Sequence, residues 1–207
     1  MATPSSTNWS PTAMSDLTSA GAAERHRLVT GVFTARTEGA RDCDAPAPVE
    51  GWTARDVVRH LVEWFPAFLA GGGIELARGP SVDDDPVGAW RAHADAVQSL
   101  LDGPDPDRPF THPRAGSHAL DQAIDMFYTS DVFMHTWDLA RATGQDDRLD
   151  PDLCTQLLEG MTQMEDLIRS SGQYGPAVPV PVDAPVQDRM IGFIGRDPNW
   201  RPASSVR

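Results

Sequence analysis

Lysine is missing altogether. All 17 basic residues of the 207 are arginine, and 30 acidic residues outweigh them to leave a net charge of −13. Such an acidic surface repels phosphate backbones, which excludes nucleic acid as a partner. Cysteine is nearly absent: Cys43 and Cys154 lie far apart, at no metal-ligand spacing. Two thiols in a chain of this size make no secreted disulfide framework, so a reducing cytoplasm is the expected compartment. No apolar run approaches the roughly 18 residues of a membrane span. The longest, Leu61 to Ala70, is interrupted by Glu63 and Pro66, so no membrane association is expected. The first residues lack a basic stretch followed by an apolar one, and no signal peptide is read there. Dinucleotide-binding GxGxxG, Walker, GxSxG and HExxH motifs are all absent.

What is present is enough apolar residue, 40% of the chain, for one globular domain with a sizeable core. Residues 1–13, rich in Ser, Thr and Pro, read as a flexible leader to a single domain over 14–207. Helices are expected over about 15–37, 54–71, 86–101, 118–143 and 151–170, with loops between them. Thr53 and Asp56 form a capping-box start, and Gly71-Gly72-Gly73 a stop. Pro66 is expected to bend the end of that helix. Leu153, Leu157, Met161, Met164 and Ile168 form a core stripe. From about residue 172 the chain changes: Val178-Pro179-Val180-Pro181-Val182 forbids helix and predicts an extended segment, closed by a short helix over about 185–195. No sheet is expected, and an all-α, up-and-down four-helix bundle with extra short helices follows.

The chemistry-bearing residues lie on faces that ought to be buried. His60 sits between Val57 and Trp64 on a core-facing stripe, with Asp56 one turn before it. It reads either as a hydrogen-bonded core histidine or as a ligand. Asp131 and His135, four apart, share one helical face with Ile124, Phe127 and Tyr128. They read as an ion pair or as two ligands of a divalent metal whose third ligand comes from another helix. Asp138, three residues on, is a further ligand or an acceptor for the imidazole N–H. His26, between two arginines, is expected on a solvated face. His93, His112 and His118 are read as structural or surface histidines, Cys154 as an inert thiol, and Asp83-Asp84-Asp85 as a solvated turn.

The stretches Trp52-Thr53-Ala54-Arg55-Asp56-Val57-Val58-Arg59-His60-Leu61 and Asp131 through Gly144, with its His-Thr-Trp-Asp-Leu-Ala-Arg core, resemble two ligand helices of actinobacterial DinB-like proteins. These include the metal-binding domain of mycothiol-dependent maleylpyruvate isomerases. The ending, from Val178-Pro179-Val180-Pro181 to Gly195-Arg196-Asp197-Pro198, is similar to a subfamily described only as metal-binding proteins. The resemblance spans roughly residues 15–200. It implies a DinB-type bundle, possible in homodimeric form, with one divalent metal, zinc first and nickel second. The implied ligands are His60, Asp131 and His135, with Asp56 and Asp138 orienting the imidazoles. Asp131 departs from the family, which has glutamate or histidine there. The second domain of the isomerases has no recognised counterpart. The implied function is a thiol-dependent, mycothiol-type transferase or isomerase acting on a small electrophile. A non-enzymatic metal- or small-molecule-binding bundle and a metal-dependent hydrolase remain as alternatives. Three protein ligands would mark the catalytic type of site and a fourth, from Asp138 or Glu63, the structural type.

Overall fold

Helix boundaries follow the capping chemistry. In a computed structural model, which describes residues 17–172 and 174–202, α1 spans Ala22–Gly39 and α2 Ala54–Gly71. The backbone N–H of Thr53 donates to Asp56, and its hydroxyl accepts from the Asp56 N–H, so the capping box is complete. The helix continues through Pro66 to Gly71. Asp85 caps α3, Pro86–Leu101, by accepting from Gly88 N at 2.8 Å, and Pro86 occupies a first-turn position that needs no N–H partner. The three-aspartate turn therefore has two structural uses, since Asp83 pairs with Arg59.

Helix α4 covers residues 120–143 in three parts: one α turn, Leu120–Ala123, a π-helical stretch, Ile124–Thr129, and an α-helical part, Ser130–Thr143. Gly144, at φ +66°, ends it in the left-handed conformation that glycine adopts without strain. Helices α1 and α2 each pack against both α3 and α4. Phe33, Phe65, Trp90, Tyr128, Phe133 and Trp137 are all fully buried between them. Each such ring contributes about 1.5–3 kcal/mol by leaving water.

The architecture is helix-rich, as expected, with corrections in two places. Residues within the anticipated loop form an antiparallel hairpin, β1 Pro109–His112 and β2 Gly116–Ala119, paired from Pro109↔Ala119 to His112↔Gly116. Its signal, one buried Phe110 between exposed neighbours, is too short to stand out among Pro, Asp and Gly. Helix α4 thus begins at Leu120, after the strand, rather than at residue 118. The single helix expected over 151–170 is broken at Met164 into α5, Pro151–Gln163, and α6, Glu165–Ser171. The break costs the expected stripe one member: Leu153 and Met161 are buried and Leu157 and Ile168 pack against the core, whereas Met164 is 47% exposed.

The extended segment is present. Val178 N donates to Gly192 O at 2.9 Å, which fastens it to α7, Val186–Phe193. A Cβ on Gly192 would come within 2.8 Å of Val178 O and 2.4 Å of Val180 Cγ2, so the close approach requires glycine. Helix α7 packs on α5, and Met190, Ile191 and Ile194 join the same apolar cluster as the helices before them. Among the described residues no helix is long and apolar enough to cross a membrane. The leader expected over 1–13 lies outside the described residues.

Candidate metal centre

Two helices supply the centre. On α2, Val57, Leu61 and Phe65 are buried, and the neighbouring strip carries half-buried His60 and Trp64 toward α4. On α4, the π-helical stretch ends directly before Ser130, whose N–H and hydroxyl both reach back to Asp125 O. A π-helical turn is wider than an α turn and shifts the face that follows. Asp131, His135 and Asp138 then share one face of the regular helix.

The three expected ligands converge. His60 Nε2 lies 3.1 Å from Asp131 Oδ2, and His135 Nε2 lies 3.5 Å from Asp131 Oδ1. One ligand atom from each of the three residues falls within 4.8 Å of the others. Asp131 Oδ2 also accepts from Trp64 Nε1 at 3.0 Å. On the far side of its ring, His135 Nδ1 lies 2.8 Å from Asp138 Oδ2, which is in turn 3.3 Å from Arg196 Nη2. Asp138 accepts from Nδ1–H, which leaves Nε2, the nitrogen that faces Asp131, as the one available to an ion. The Trp52 ring stacks on His135, 15° from parallel with centroids 5.9 Å apart, and lies 5.1 Å from His60.

The electrostatics are those of two paired acids, Asp131 half-buried and Asp138 buried. Burial pushes the Asp131 carboxyl up, but His135, His60 and the Trp64 N–H more than reverse this, leaving it below the usual carboxylate range. The Asp138 side chain is 1% exposed; burial again pushes up, and Arg196 and His135 bring it below that range. Tyr174, from the extended segment, is close enough for Asp131 and Arg196 to act on it, and burial pushes its phenol up to about 12. The His60 side chain keeps 31% exposure, so the centre is reachable from solvent on that side.

Other expected residues fall elsewhere. Asp56 sits in the capping box and on Arg59, 3.4 Å away, rather than against an imidazole, because two donors of Thr53 claim its carboxylate first. Glu63 is 3.8 Å from Arg59 on an exposed face. His26 is fully buried, not solvated. Neighbours along a helix point about 100° apart, so Arg25 and Arg27 reach Asp125 and Asp102 while His26 turns inward to Gln98. His93 is also buried, His112 stacks on Phe68 and His118 bonds to Ala115 O. Burial pushes the Cys154 thiol up to about 12, which makes it inert. Sequence reasoning assigned Trp64 and Trp52 no part in the centre, although Trp64 stands one turn from His60. It also missed Arg196, which lies 58 residues from Asp138 and carries no local signal.

Two proteins of Mycobacterium tuberculosis are similar to this chain: Uncharacterized protein MT0763 of strain CDC 1551 / Oshkosh and Uncharacterized protein Rv0738 of strain ATCC 25618 / H37Rv. Each is 27% identical over 182 residues, covering 83% of this chain and 95% of its own length. No family model and no solved structure matches.

Proposed function

We propose that this chain is a DinB-like four-helix bundle that binds one divalent metal through His60, Asp131 and His135. We further propose that it serves a thiol-dependent, mycothiol-type transferase or isomerase reaction on a small electrophile. The observation that carries the reading is the convergence of three donor atoms from two helices within 4.8 Å, one imidazole having its other nitrogen held by a buried carboxylate. Two imidazoles and a carboxylate suit zinc, and nickel after it.

The residues present fit such an ion. Asp138 keeps the proton of His135 on Nδ1 and the lone pair on Nε2. His60 Nδ1 has no hydrogen-bond partner among the described residues, so that ring is free to move its proton to Nδ1 and present Nε2 likewise. Trp64 holds Asp131 Oδ2 and leaves Oδ1 the less encumbered oxygen. Neither residue considered as a fourth ligand supports that role: Asp138 lies on the Nδ1 side of His135 and Glu63 on the surface. Three ligands leave open positions, the arrangement of a reactive rather than a structural site. A divalent ion there supplies the acidity that ionises a bound thiol. Trp52 covers one face of the paired imidazoles and limits approach to the half-exposed His60 side.

The test is metal content of the purified, dialysed protein beside His135→Ala. About one equivalent of metal in the wild type, lost in the variant, is expected. Calorimetric titration of the loaded protein with mycothiol is then expected to saturate. A wild type that takes up neither zinc nor nickel overturns the reading, and loaded protein that ignores thiols returns it to a non-enzymatic metal-binding bundle.

A further inference from the structure

The best-buried acid near the centre, Asp138, is joined to a residue contributed by the far end of the chain. Its carboxylate, 1% exposed, bonds to His135 through Oδ2, and the same oxygen receives Arg196 Nη2 at 3.3 Å. Arg196 is fixed from its own side as well: Nη1 donates to Ile194 O at 2.8 Å, and its side chain is only 13% exposed. Its backbone N–H bonds to Ile191 O, just beyond the α7 helix that packs on α5. The guanidinium is therefore held by a packed element before it meets Asp138. A carboxylate bonded only to an imidazole can rotate about its terminal torsion, whereas a second donor on the same oxygen sets its plane.

We propose that Arg196 is a positioning residue of the metal centre, which fixes Asp138 so that Asp138 holds the His135 ring with its proton on Nδ1 and its Nε2 toward Asp131. The relay Arg196–Asp138–His135 makes the C-terminal extension part of the centre. Among the described residues His60 has no corresponding relay, because Asp56 is engaged at the helix cap. The two imidazoles thus differ: one is preset and the other adapts. Only the affinity readout below rests on the metal reading of the site; the nitrogen readout does not.

The experiment compares the full-length wild type with Arg196→Met and Arg196→Lys by ¹⁵N–¹H correlation of the histidine side chains, followed by zinc titration. The wild type is expected to show a sharp, slowly exchanging His135 Nδ1–H signal. In Arg196→Met that signal is expected to broaden into exchange and zinc affinity to fall about 10- to 100-fold, as for other losses behind a ligand. Arg196→Lys is expected to restore most of both. An Arg196→Met protein with the wild-type His135 signal and wild-type zinc affinity overturns the proposal. If that variant does not fold, the guanidinium of Arg196 in the wild type decides. A resolved, slowly exchanging Nη2–H signal coupled across its bond to Asp138 supports the relay, and Nη2 protons that exchange freely while Nη1 stays fixed on Ile194 O overturn it. Wild-type protein that binds neither zinc nor nickel defeats the metal reading, while the nitrogen signals still judge Arg196.

Discussion

Asp131 accepts from or faces three side chains at once, His60, Trp64 and His135, and remains partly open to solvent. Of these, Trp64 is the one with no proposed ligand role, so it isolates what the hydrogen bond to the carboxylate is worth. Trp64→Phe keeps an aromatic ring and removes the Nε1–H. It is expected to lower unfolding stability by about 1.5–3 kcal/mol, the range for a bond to a charged acceptor, while the protein keeps its metal stoichiometry. An unchanged urea midpoint would show that water replaces the indole N–H without loss. The local part of this site was legible because helices convert spacing into proximity. Asp131, His135 and Asp138 at intervals of four and three, and His60 with Trp64 at four, share faces by geometry alone. The pairing of the two faces and the arrival of Arg196 depend on packing between distant segments, which no spacing records.

At the scale of elements, the capping box is the most readable feature. Thr53 with Asp56 reads as a helix start that the structure keeps, whereas Asp85 before Pro86 and Asp150 before Pro151 cap their helices without being read as caps. A residue spent on a cap is not available to orient a ligand, which is how Asp56 left the expected site. Asp56→Ala is expected to cost about 0.5–2 kcal/mol through the lost cap and to leave metal content unchanged. Metal loss in a variant of wild-type stability would restore Asp56 to the centre. The hairpin and the break at Met164 were not legible. Four-residue strands give too few alternations to read, and nothing in Met164-Glu165 forbids helix, so the break reflects how α6 meets the rest of the protein rather than local preference.

For the molecule as a whole, two buried histidines outside the centre set its response to acid. Burial lowers both His26 and His93 from 6.5 to about 4; the Gln98 hydrogen bond only partly offsets this at His26, and the His26 charge adds to it at His93. The unfolded chain therefore binds more protons than the native one between about pH 6.5 and 4. Stability is complete above that window and falls as pH decreases through it, by up to about 1.4 kcal/mol per pH unit for each histidine. Asp125, raised by burial, opposes the trend. Urea unfolding across the window is expected to show this slope, and His93→Phe, among the rings of Phe65, Trp90 and Tyr128, to flatten it. Coincident slopes for variant and wild type would clear His93 of any part. The placement of Arg196 also bears on how the protein is made. All three candidate ligands and Asp138 leave the ribosome before it, and the guanidinium that meets Asp138 follows 58 residues later. At ordinary translation speeds that is a wait of roughly 3–12 s. During that interval the nascent chain holds a complete set of donors around an acid without its counter-charge, so the order of synthesis makes this guanidinium the last part of the centre to arrive.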